Sequence, residues 1–153
     1  MTIMIGLKLP SLNEYVNVCR TNRYKAAEYK RNIEKKILPY FAGVRRFEKP
    51  IRIHFTWIED NKRRDYDNVC FAKKFILDAM VRGGYLKDDN RKCVAGFIDS
   101  FEYGETAMVI LEIEEVNDDT ERKDNAVYER FRKYYDVAGV SRLSDNEICG
   151  SDQ

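Results

Sequence analysis

The 153-residue chain has one histidine, His54, and its four cysteines (Cys19, Cys70, Cys93 and Cys149) form no C-x-x-C pair. A structural zinc site needs clustered thiolates or imidazoles, so that class is excluded. The cysteines are expected as free thiols in a reducing cytosol, with Cys70 a buried, inert one on a helix core face. No stretch of 18 apolar residues occurs, which leaves no candidate membrane-spanning helix. The opening MTIMIGLKLP lacks a basic n-region and a cleavage site, so no signal peptide and a cytoplasmic location are expected. Internal repeats and low-complexity tracts are absent as well. What remains is a length suited to one domain with a real core.

Charge is abundant but unevenly placed. The net charge is only +1, yet residues 1–74 carry 17 Lys and Arg against 8 Asp and Glu. Residues 75–117 carry 4 against 9, and residues 118–153 carry 6 against 9. A basic front half beside an acidic segment suits a protein that attracts a polyanion. Solvated helix faces account for the same basic residues equally well.

Hydrophobic periodicity predicts a strand over Ile3–Leu9, stopped by Pro10, and a loop over residues 11–24. A helix is expected from about Asn22 to Leu38, with Tyr24, Ala27, Ile33 and Ile37 on its apolar side. The alternating IRIHFTWI predicts a strand over Ile51–Ile58 with His54 on its outer face. A second helix follows from about Asp67 to Arg82, closed by Gly83 and Gly84. CVAGFIDSF and TAMVILEIEEV predict a hairpin turning near Gly104. The order β-α-β-α-β-β implies an α+β domain on one mixed sheet over residues 1–116. Residues 117–153 form a charged tail, with a helix expected near residues 122–137 and a disordered end.

The stretch RRDYDN places Asp65 and Asp67 one residue apart behind Lys62, Arg63 and Arg64. At about 100° per residue, Val69, Ala72, Phe75, Ile76, Ala79 and Met80 form a core stripe on the second helix. Lys74 and Asp78 share the outer face with Asp67, while Lys73 lies on the flank. Asp88 and Asp89 follow in a turn, where the chain can fold back. Carboxylates from Asp65, Asp67 and Asp89 would make an oxygen cage for Mg²⁺, or Mn²⁺, such as phosphodiester cleavage uses. Spacing alone also admits, and for so short a pattern as D-x-D favours, an N-cap, a turn and an i,i+4 surface pair. A calcium EF-hand is excluded, because Cys70 and Ile76 stand where its loop needs Gly and Glu.

Four ordered stretches, LPSLNEYV with RYK, RRDYDN, KFILDA and GGYLKDD, together resemble the RusA family of Holliday junction resolvases, phage and prophage members most closely. The likeness covers roughly residues 5–115 and leaves the tail without a counterpart. It implies a Mg²⁺-dependent endonuclease that works as a homodimer and makes paired nicks in four-way or otherwise branched DNA. It carries the family's aspartates onto Asp65, Asp67 and Asp89, its catalytic lysine onto Lys74 and its arginine onto Arg64. In the family pattern the lysine stands four residues after the second aspartate; here Lys74 stands seven after Asp67, nearly one helical turn further on. Arg63, Arg64, Arg20, Arg23, Lys25 and Lys73 are the candidate contacts to the DNA backbone. Tyr24 is expected to pack in the core rather than stack on a base. Two other classes remain open: a branched-DNA binding module without cleavage, and a small regulatory protein acting through its tail.

Overall fold

The computed structural model describes residues 1–116; residues 117–153, and with them the helix expected near 122–137, lie outside the described residues. The chain runs β1 (Thr2–Ile5), α1 (Leu12–Thr21), α2 (Arg23–Ile37), a 3₁₀ turn (Leu38–Phe41), β2 (Ile51–Glu59), α3 (Tyr66–Cys70), α4 (Lys73–Arg82), β3 (Val94–Tyr103) and β4 (Met108–Glu115). The strands form one mixed sheet in the order β1-β4-β2-β3. The fold is therefore α+β, as expected. No described helix is long and apolar enough to cross a membrane.

β2 alternates strictly, with Ile51, Ile53, Phe55 and Trp57 buried on the side that faces the helices. β4 buries Val109, Leu111 and Ile113 on the same side. Ile33 and Ile37 of α2, Phe41, and Phe75, Ile76 and Met80 of α4 complete this core. At about 25 cal/mol per Å² of apolar surface removed from water, a layer of this kind is the main stabilising term. His54 lies on the other side of the sheet, half-buried, with Nε2 2.8 Å from Ser100 Oγ and Nδ1 3.3 Å from Glu112.

Four expectations need correction. First, the polar stretch after Pro10 is a helix, α1. Ser11 Oγ accepts from the Glu14 amide at 3.3 Å, and the Glu14 carboxylate accepts from the Ser11 amide at 2.6 Å. That reciprocal box satisfies two end groups and starts the helix in spite of its weak apolar pattern. Second, β3 and β4 do not pair. β3 runs parallel to β2, and β4 lies antiparallel on β2's opposite side. The link between them crosses the end of β2, where the Gly104 amide donates to Glu59 O at 3.0 Å. A Cβ at Gly104 would come within 2.9 Å of the Ile58 side chain, so only glycine passes there without displacement.

Third, the helix expected over residues 67–82 is two, α3 and α4, interrupted at Phe71 and Ala72. Its core stripe survives the break, because Val69, Ala72, Phe75, Ile76, Ala79 and Met80 are all buried. Cys70, at the break, is only half-buried, its thiol resting 3.6 Å from Asp67 O. Fourth, α2 buries Ala26, Ile33 and Ile37, an i, i+7, i+11 row that turns Tyr24 and Ala27 outward. Tyr24 is 84% exposed and is no part of the core.

Candidate active site

The loop after β2 is held by Arg64. Its guanidinium donates to both Glu59 oxygens, Nε at 2.7 Å, and to the backbone oxygen of Leu9 at 2.7 Å. Both side chains are largely withdrawn from water, so the fork-to-carboxylate pair is well shielded. Arg64 thereby ties the end of β2 to the segment before α1 and sets where the following Asp65 emerges. A phosphate backbone would have to compete with Glu59 for it. Removing the guanidinium would strand a buried carboxylate. Arg64→Ala is therefore expected to cost about 3 kcal/mol, the scale of breaking a buried pair. Urea unfolding measures it; an unchanged midpoint would show that the clamp contributes nothing.

Asp65 is the N-cap residue of α3, with extended backbone (φ −70°, ψ 152°) and no side-chain capping bond. Asp67 lies in the first turn. Both are exposed. Among the described residues neither carboxylate has a hydrogen-bond or ion-pair partner, so neither serves the capping role that spacing alone allowed. They are free acceptors held a residue apart by Arg64 on one side and α3 on the other.

Asp88 and Asn90 shape the turn after α4. Asp88 accepts from the Asp89 amide at 2.7 Å and from Asn90 Nδ2 at 2.6 Å. Asn90 Oδ1 in turn accepts from the amides of Lys92 and Cys93. Asp89 alone sends its side chain out of the turn, to Lys74 Nζ at 3.0 Å. Lys74 also donates to Asp78 at 2.8 Å, one turn along α4. The Asp78 hydrogen bond, then the Asp89 one, raise the Lys74 ammonium above its ordinary value against the cost of burial. The same contact to Lys74 is the main force lowering the Asp89 carboxyl.

Behind Lys74 the charges continue inward. Asp78 meets Lys30 of α2 at 2.7 Å, and Lys30 stands 3.7 Å from Glu34. Glu34 is fully buried and lies 2.8 Å from Arg82 Nε, yet neither of its oxygens completes an aligned hydrogen bond. A buried carboxylate so placed holds Lys30 and Arg82 toward it. The row Glu34, Lys30, Asp78, Lys74, Asp89 alternates in sign and fixes the Lys74 ammonium from behind. α1 closes over the same region: Tyr15 packs against Phe71 and Phe75. Its hydroxyl, near Cys19, Asp78 and Lys74, is pushed above its ordinary value, chiefly by burial.

The structure thus brings Lys74 and Asp89 together. The expected cage of three acids is not gathered: among the described residues no three His, Cys, Asp or Glu side chains form a group that could hold a metal ion. Arg20, Arg23 and Lys25 stand exposed at the α1–α2 corner, where Asn22 Oδ1 caps α2 by accepting from the Tyr24 amide at 2.8 Å. Arg63 is exposed too. Lys73 is not free: its ammonium pairs with Asp99, which also accepts from Trp57 Nε1 at 2.8 Å, and it lies over the rings of Phe55 and Phe97.

The sequence matches no protein-family model and no curated protein.

Sequence reasoning missed Tyr15, Lys30, Glu34 and Glu59. For Tyr15 a signal existed, since S-x-x-E at Ser11–Glu14 is the capping box that predicts α1. The pairs of Lys30 with Asp78, Glu34 with Arg82 and Glu59 with Arg64 cross between elements or span a loop, and no spacing rule reaches them.

Proposed function

We propose that this chain is a Mg²⁺-dependent endodeoxyribonuclease that acts on branched DNA, four-way junctions above all, as a homodimer. The observation that supports it most is the contact between Lys74 and Asp89, which come from separate motifs of the RusA resemblance and meet through the fold. The donor chemistry of Asp65 and Asp67 fits a hard divalent cation, which is commonly held by one or two carboxylates together with waters and phosphate. Those two residues would hold the ion, with Asp89 the third donor that the resemblance implies. Bound there, the ion would supply charge neutralisation and an activated water.

The protein's own part follows from the charges. With its pKa raised, Lys74 is an ammonium at neutral pH and acts as a positive charge toward the scissile phosphate, not as a base. Asp78 and Asp89 keep it in place before substrate arrives. Arg63 and the exposed corner of Arg20, Arg23 and Lys25 offer sequence-independent contacts to phosphates. Cleavage of a labelled synthetic four-way junction is expected in Mg²⁺ and not in EDTA; equal products in both would end the nuclease reading.

A second reading, a branched-DNA binder without cleavage, draws on the ungathered acids. It predicts junction binding with intact strands in Mg²⁺, so the same assay separates the two. Paired nicks also need two sites, which a C2 dimer would set symmetrically on the junction. Light scattering at micromolar concentration is expected to give the dimer mass, and a strictly monomeric mass with and without junction DNA would count against it.

A further inference from the structure

Aromatic side chains are unusually exposed along the outer strand β3 and the start of α3. Tyr66 lies between Asp65 and Asp67 and is 54% exposed, Tyr103 48% and Phe97 43%. Tyr66 stacks on Phe101 with ring centroids 4.1 Å apart and planes at 18°. Its hydroxyl acts on that of Tyr103, which it pushes above its ordinary value. Phe97, Phe101 and Tyr103 alternate along β3 on the helix side, since their β2 partners Ile53, Trp57 and Glu59 point there. Cations flank one end of the row, where Lys62 Nζ lies 5.1 Å from the Tyr103 ring and exposed Arg63 follows it; at the other end Lys73, against Phe97, is already paired with Asp99 of the same strand.

Rings that only filled space would be covered, and an aromatic row left in water marks an interaction surface. Flat π-faces with cations beside them suit an occupant that is both planar and anionic. We propose that Tyr66, stacked on Phe101 and braced by Tyr103, is a platform for an unpaired nucleobase, with Lys62 and Arg63 taking the neighbouring phosphates. This rests on the DNA-processing reading and adds to it a reason for preferring branched substrates. In continuous duplex every base is stacked within the helix; at a branch point one can leave the stack and lie on Tyr66. Because Tyr66 separates Asp65 from Asp67, a base held there would place an adjoining phosphate at those carboxylates.

The test uses the full chain in EDTA, so that no strand is cut, and a branched oligonucleotide with 2-aminopurine at an unpaired position. Wild type and Tyr66→Phe, which keeps the ring, are expected to quench the probe on binding. Tyr66→Leu is expected to lose the quenching and about tenfold in affinity for branched DNA, the scale of one lost base stack, with affinity for paired duplex unchanged. Tyr103→Leu, at an exposed position, supplies the same comparison should Tyr66→Leu melt early. Loss in Tyr66→Phe as in Tyr66→Leu would assign the residue to the hydroxyl contact and overturn the platform. Equal quenching and affinity in the Leu variants would overturn it while leaving the nuclease reading intact. Failure of the wild type to bind any DNA would overturn that reading, and the platform with it.

Discussion

Asp67→Asn is expected to abolish metal-dependent cleavage of a four-way junction while binding of that junction survives or tightens. The substitution preserves size and removes one of two neighbouring, unpartnered carboxylates. Those carboxylates contribute nothing to the internal bonding of the described residues, so the variant should melt like the wild type. Without a cation beside them they repel an approaching phosphate. Removing one charge therefore weakens metal affinity and eases the approach of DNA at once. Single-turnover cleavage and a gel-shift titration, run on the same preparation, separate the effects. Undiminished cutting by Asp67→Asn would sink the proposed metal site.

Lys74→Ala is expected to slow single-turnover cleavage by about 10²-fold or more, the usual scale for losing one preorganised charge contact in the transition state. Its neighbour should behave otherwise. Lys73 is spent on Asp99, so Lys73→Ala is expected to lower stability by about 1–2 kcal/mol, leaving Asp99 with Trp57 alone, and to change cleavage little. A fall in rate for Lys73→Ala without one for Lys74→Ala would reverse these roles. The pH dependence follows from the same contacts. Asp89 has a folded pKa below its ordinary 3.8, so its contribution is present above that value and fades as pH falls through the depressed one. Lys74 has a folded pKa above 10.5, so its share is present below that and fades as pH rises through the raised one. The pair is thus intact across neutral pH, and Lys74→Ala should lower the rate there without moving the pH profile.

Much of the secondary structure was legible because period-two and period-3.6 patterns are local. The apolar alternation of β2 and the core stripe from Val69 to Met80 appear in the structure as read. The stripe holds across the break at Phe71–Ala72, since burial constrains the face even where helical hydrogen bonding is interrupted. That β3 and β4 lie on opposite sides of β2 is not legible in the chain, because both have strand composition and a short link. Which strand takes the centre depends on buried area: β2 and β4 carry continuous apolar faces and take the two inner places, while β3, with Asp99 and Glu102, lies at the edge.

For the candidate site the division is similar. Sequence by itself determined the residue types, the close pair Asp65 and Asp67, the i,i+4 relation of Lys74 to Asp78, and the turn that presents Asp89. Only the tertiary structure decided that Lys74 reaches Asp89, that Arg64 is committed to Glu59, that Lys73 is committed to Asp99, and that a buried Glu34 backs the row of charges. Chemical type and local spacing are written in the chain. Which opposite charges meet is settled by packing, because each ion pair forms only where the hydrophobic layer beneath it brings two distant segments within reach.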